Sequence, residues 1–132
     1  MPLPARIALA FALSLAAGGA VQQAIMHAYD SGAAPWALAP LGVCILLVTI
    51  VFGVVLWRRP AAIGRTAAIM LAAMLVFGVA VYSFGVNDLR PGIGGNIGYL
   101  IAMLVVFYFL LPSALAVPIH WLVLRGARNA PT

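Results

Sequence analysis

The sequence predicts an all-α integral membrane protein, a four-helix bundle of two helical hairpins with both termini cytoplasmic, forming one transmembrane domain over residues 1–132. Of its residues, 66% are hydrophobic and 7% are charged, whereas soluble domains are about half apolar and a quarter charged. Uncharged runs of roughly 20 residues recur, which is long enough to cross a bilayer core of about 30 Å. Because lipid cannot satisfy free backbone groups, these runs must be helices.

The arginines predict how the helices are oriented. Arg58, Arg59 and Arg65 lie between the second and third apolar runs, Arg6 precedes the first run and Arg125 follows the fourth. Basic residues beside a span stay on the cytoplasmic side during insertion, so we interpret Arg58, Arg59, Arg65 and Arg125 as topology determinants. The net charge of +5 then reflects topology and contact with the lipid bilayer. We expect no nucleic acid partner, and we expect a bacterial inner (cytoplasmic) membrane location.

The first predicted span covers residues 7–27. A cleaved signal peptide followed by three spans is the alternative, with a small-residue exit at residues 18–20. Apolar sequence continues past that point to Met26, which favours a retained helix. Small residues at four-residue spacing let a second helix approach closely, so we expect the alanines of this span to pack against another helix. This ladder comprises Ala8, Ala12, Ala16, Ala20, Ala24 and Ala28.

The second and third predicted spans, residues 37–57 and 66–86, flank the arginine-rich loop. Thr49 is expected to hydrogen-bond the backbone of its own helix. Cys44 is the only cysteine, so the chain has no disulfide framework and Cys44 is expected to act as a small apolar side chain. The two methionines of the third span are interpreted as packing residues rather than metal ligands.

The fourth predicted span, residues 96–124, is the longest. Pro112 and Pro118 each lack a backbone donor and predict a kink. Gly94 and Gly98 form a GxxxG pattern at the start of this helix, which is a second candidate for close helix packing.

Four polar side chains in the apolar runs form the candidate polar pathway or pocket: Gln22, Gln23, Ser113 and His120. An amide in hydrocarbon must find a partner, so the glutamines are expected to face other helices or the interface. Ser113 and His120 are seven residues apart and fall on nearly one helical face. Trp121 beside His120 favours an interfacial position for this histidine. The alternative places His120 and Ser113 in a polar pocket or proton path.

The sequence predicts no cofactor. His27 and His120 are the only histidines and belong to opposite ends of the predicted bundle, so they cannot share a haem, although a haem between two copies of one histidine stays open. His27 with Asp30 and Asp88 offers ligands suited to a transition metal. No HxxxH or HExxH spacing supports that site, and solvated loop residues are the simpler interpretation.

These patterns favour a protein without catalysis of its own. No predicted span contains Asp, Glu, Lys or Arg, whereas ion-coupled carriers usually keep such a group. We therefore expect an accessory or structural subunit that associates with other membrane subunits or with itself. The alternatives are a small homo-oligomeric channel or transporter with a pathway near the four polar residues, and a redox or metal-binding membrane protein.

Overall fold

A computed structural model describes residues 1–29, 35–87 and 97–126. The fold is all-helical, and all four long helices are apolar enough to cross a membrane. Their bounds lie within four residues of the predicted spans, with one-turn 3₁₀ helices before α2 and α3. The helices are α1 (Leu3–Tyr29), α2 (Leu38–Arg58), α3 (Ile63–Asn87) and α4 (Ile97–Leu124), and the 3₁₀ turns are Pro35–Ala37 and Pro60–Ala62.

Helices α1, α2 and α4 form the core, and α3 lies at its edge. Leu41, Ile45 and Phe52 of α2 are fully buried against α1 and α4 side chains. In α3, by contrast, only three residues are buried. A surface of large apolar residues suits contact with lipid chains, so this low burial is compatible with a membrane helix.

Each helix runs antiparallel to the next, and α1 runs antiparallel to α4. On α1, Ser14 contacts His120 and Gln22 contacts Tyr108, so the residue numbers rise along one helix as they fall along the other. The same order relates α3 to α4, where Gly85 lies beside Ala102. The arginines of the predicted cytoplasmic side therefore gather at one end of the bundle. Which side of the membrane this end faces stays a prediction.

The winding of α4 changes immediately before Pro112. Residues Leu104–Leu110 are π-helical, and the Leu111 N–H donates to the carbonyl of Val106, five residues earlier. The helix then continues as an α-helix over Leu111–Leu124 with Pro118 inside it. The irregularity expected from the two prolines is thus a π-helical segment at the first one, a known way to accommodate a missing donor.

The buried face of α1 is a ladder with four-residue spacing, but it is not the alanine ladder. We call it the inner ladder: Ala10, Ser14, Gly18, Gln22 and Met26. Gly18 allows the closest approach, since a Cβ there would lie 3.0 Å from the Pro112 carbonyl oxygen of α4. Ala12, Ala16 and Ala20 are exposed, so their expected packing against a helix is not met within the described chain and stays a prediction for a partner.

Gly98 of the predicted GxxxG pattern lies at the contact of α3 and α4. Its carbonyl oxygen is 3.5 Å from the position that a Cβ on Gly85 would occupy. The other member, Gly94, lies outside the described residues. Close packing at this contact therefore depends on Gly85 as well as on the α4 glycine.

Replacing Gly85 by alanine tests this contact. The added Cβ would lie 2.5 Å from the Ala102 Cβ and 3.4 Å from the Tyr99 Cα, so α3 must move away from α4. We expect Gly85→Ala to lower the free energy of unfolding by about 1–3 kcal/mol, measured by SDS titration of the protein in micelles. Gly53→Ala is the matched control, because no atom lies within 4 Å of its added Cβ. Equal effects of the two changes would contradict the packing described here.

Candidate functional site

His120 forms the centre of a buried polar cluster that joins three helices. Its Nε2 lies 2.7 Å from the Thr49 Oγ1 of α2, and its Nδ1 lies 3.1 Å from the Ser14 Oγ of α1. The Phe52 ring stacks on the imidazole with a centroid distance of 5.5 Å. His120 is fully buried, so the expected interfacial position was wrong: the side chain points between helices rather than toward headgroups.

The distances around the imidazole indicate where its proton lies. Nδ1 is 2.7 Å from the Ala116 carbonyl oxygen, which can only accept, so Nδ1 carries a proton. In the neutral ring Nε2 then accepts from the Thr49 hydroxyl. That hydroxyl also lies 2.9 Å from the Ile45 carbonyl oxygen, the bond within its own helix that was predicted. One Thr49 proton is therefore shared between two acceptors.

Gln22 forms a second polar cluster, farther along α1. Its Nε2 donates to the Tyr108 carbonyl oxygen at 2.8 Å and to the Ala37 carbonyl oxygen at 3.1 Å. Gln23 donates to the Gln22 Oε1 at 3.3 Å. Tyr108 lies four residues before Pro112, which has no N–H to offer this carbonyl. The Gln22 amide thus supplies a donor that the proline cannot, and it connects α1 to α4 and to the turn before α2.

The four residues of the predicted pathway occupy different places. Gln22 and the His120 partner Ser14 are eight residues apart on α1, which corresponds to about 12 Å along the helix. Ser113 is buried, and its Oγ has no hydrogen-bond partner in the described part of the chain. Gln23 lines a groove of about 650 Å³ between α1 and α2. A continuous pathway through these residues stays a prediction.

Sequence reasoning missed Ser14 as a member of the cluster. Ser14 is the only serine or threonine of α1, and it precedes Gln22 by eight residues on the same helical face. Eight residues are two steps of the four-residue repeat, so Ser14 and Gln22 mark one polar face of α1. This was an available signal that the polar face is the buried one. Thr49 was noticed only for its backbone bond, since nothing in the sequence pairs it with His120.

The Ser14–His120 pair has the separation of a nucleophile and its base, but its surroundings do not suit catalysis. Ser14 and His120 are fully buried, and Thr49 is nearly so. Phe52 covers the ring, so a substrate has no access to the Ser14 hydroxyl. The cluster is arranged to hold helices together.

The histidine and arginine residues predicted for other roles lie at the ends of the bundle. His27 is exposed near the end of α1. The described residues contain no group of three His, Cys, Asp or Glu side chains that could hold a metal ion. Asp30 and Asp88, the acids proposed to join His27 in that site, lie outside the described residues. The topology determinants Arg58, Arg59, Arg65 and Arg125 are all exposed.

Comparison with known proteins adds no family for this chain. No protein-family model, curated protein or solved structure matches it. Its function is therefore argued from the two polar clusters and from the surfaces of the bundle.

Replacing His120 should weaken the core more than replacing the exposed histidine. His120→Ala removes the ring that joins Ser14, Thr49 and Phe52 and leaves a cavity. We expect it to lower the free energy of unfolding by about 2–4 kcal/mol, measured by SDS titration with far-UV circular dichroism. His27→Ala is the matched control and should stay within about 0.5 kcal/mol of the parent. A similar loss for both variants would show that the cluster does not stabilise the bundle.

The stability that the bond from Gln22 to the Tyr108 carbonyl contributes should depend on Pro112. We expect Gln22→Leu to lower the free energy of unfolding by about 1–3 kcal/mol, because two buried carbonyls lose a donor. In a Pro112→Ala background the backbone gains an N–H for the Tyr108 carbonyl, so the same change should cost less. A double-mutant cycle of unfolding free energies measures this difference, for which we expect a coupling of about 0.5–3 kcal/mol. A coupling of zero would mean that Gln22 does not replace the missing donor.

Proposed function

We propose that the chain is a non-catalytic accessory or structural subunit of a membrane complex, located in the bacterial inner (cytoplasmic) membrane. One observation carries the proposal: the buried polar side chains of α1 are bonded across to the other helices, while the alanine ladder of the same helix faces outward. The helix is thus fixed on one side and open to a partner on the other.

The inner side supports a structural role because its polar groups are already paired. His120 bonds both Ser14 and Thr49, and Gln22 bonds two backbone carbonyls. Hydrogen bonds between membrane helices stabilise their association. A carrier would need such groups free to meet its cargo, whereas here they hold the helices in register.

The outer side of α1 differs from the other exposed helix of the bundle. All six alanines of the ladder are exposed, and Ala16 and Ala20 line the groove between α1 and α2. The exposed side of α3 instead carries large apolar residues, among them Ile69, Leu75 and Phe84, which are 61%, 68% and 70% exposed. Large side chains suit lipid, whereas small ones allow a second helix to approach closely. The partner is therefore expected on α1, as another membrane subunit or a second copy.

A small homo-oligomeric channel or transporter is the second candidate. Ser113 favours it, since its buried hydroxyl has no hydrogen-bond partner among the described residues and is available to a water or a cargo molecule. In such an oligomer a pathway near Gln22, Gln23, Ser113 and His120 would open on association of several copies. Transport in proteoliposomes across several substrate classes separates this candidate from a structural subunit.

Gentle purification of a tagged chain, followed by native mass spectrometry and an absorption spectrum of the same sample, tests the proposal. We expect foreign membrane subunits, or a defined oligomer without transport activity, and no Soret band. A Soret band would establish a haem protein and overturn the structural role. Substrate transport by the oligomer would favour the second candidate.

Ala16→Leu tests the partner surface directly. The larger side chain should keep a partner helix from approaching, so we expect loss of most of the co-purifying subunit or of the oligomer. Ala73→Leu makes the same change at an exposed site of α3 and should leave the association unchanged. If Ala73→Leu disrupts the association and Ala16→Leu does not, the partner binds α3 and the proposed surface is wrong.

A further inference from the structure

One end of the bundle carries a concentration of positive charge without a compensating acid. Five arginines lie there, and the described residues include no Asp or Glu with which they could pair. The two acids of the sequence follow the opposite ends of α1 and α3 in the chain. An anion that pairs with these arginines would therefore come from outside the described residues. The arginines are Arg6, Arg58, Arg59, Arg65 and Arg125.

One of these arginines, Arg6 of α1, lies against the backbone that follows α4. The Arg6 Nη1 lies 2.8 Å from the position that a Cβ on Gly126 would occupy, so its guanidinium rests against the backbone just after Arg125. Arg6 is half-buried, and its Nε donates to the Met1 carbonyl oxygen at 3.4 Å. The absence of a side chain at Gly126 leaves room for the Arg6 guanidinium beside the end of α4.

Trp121 holds the second arginine in place. The Arg125 guanidinium carbon lies 5.1 Å from the centroid of the indole ring, which is a cation–π distance. The indole nitrogen lies 3.6 Å from the Cβ position of Gly64, beside Arg65 at the start of α3. The site thus combines an aromatic ring at a membrane-helix end with positive charge from three helices.

This combination matches the headgroup of an anionic phospholipid. Guanidinium groups bind phosphate through paired, charge-assisted hydrogen bonds, and tryptophan favours the level of the headgroups.

We propose that Arg6 and Arg125, with Trp121 beneath Arg125, bind the phosphate of one anionic phospholipid. Because Arg6 belongs to α1 and Arg125 follows α4, the bound headgroup joins the first helix to the last. The proposal is independent of the subunit role, since it needs only a single copy of the chain in a bilayer.

The test compares lipid binding by the full chain and its variants in a neutral detergent. Native mass spectrometry with phosphatidylglycerol should show one retained lipid per chain, and thermal melting should rise with that lipid but not with phosphatidylcholine. Arg6→Gln and Arg125→Gln should each weaken binding about tenfold, the effect expected from losing a charge-assisted hydrogen bond. Arg59→Gln is the matched control, because it removes the same charge from the same end of the bundle at a residue that follows α2.

Several outcomes would overturn the proposal. Equal weakening by Arg59→Gln would mean that only diffuse charge attracts the lipid, and equal binding of phosphatidylcholine would exclude selection for anionic headgroups. Millimolar inorganic phosphate that raises the melting temperature as much as the lipid would show that the site takes free phosphate instead. Circular dichroism and lipid-free melting of each variant, expected to match the parent, exclude misfolding as the cause of a loss.

Discussion

The bundle depends on hydrogen bonds that buried side chains of α1 make with its neighbours. Inside a bilayer the removal of apolar surface from water no longer drives helices together, so packing and interhelical hydrogen bonds must do so. Ser14 and Gln22 provide these bonds at two levels of α1, through His120 at one level and the Tyr108 carbonyl at the other. Two bonds at separate heights fix both the rotation and the register of α1 against α4.

The irregular part of α4 belongs to the same arrangement. Pro112 cannot donate to the Tyr108 carbonyl as an α-helical residue four positions later would, and the segment Leu104–Leu110, which contains Tyr108, is π-helical. Such a carbonyl is costly in hydrocarbon unless a neighbouring group bonds it. Gln22 does so, and Gly18 allows the backbones to come close enough at Pro112. The proline, the glycine and the amide are therefore one structural unit shared between two helices.

The four helices could be predicted because length and apolarity depend on sequence alone, whereas the buried face of α1 was missed although Ser14 and Gln22 marked it. The alanine ladder from Ala8 to Ala28 and the inner ladder from Ala10 to Met26 are offset by two residues. At 3.6 residues per turn this offset is about 200°, so the ladders lie on opposite faces. Both consist largely of small residues, and only Ser14 and Gln22 distinguish them. The position of His120 was missed for a similar reason, since its partners lie 106 and 71 residues away in the chain.

A helix with small residues on both faces can be packed on two sides at once. The inner ladder uses one side for α2 and α4, so a partner on the alanine ladder would place α1 in the middle of a larger assembly. The polar clusters matter for that assembly because their hydrogen bonds are already formed. With the core fixed by Ser14, His120 and Gln22, α1 can offer its outer face to a partner without a rearrangement of the core. At the arginine-rich end, Arg6 continues the contact of α1 with the end of α4, where its guanidinium lies against the Gly126 backbone. In the proposed assembly the first helix would therefore connect the core, the partner surface and the lipid contact.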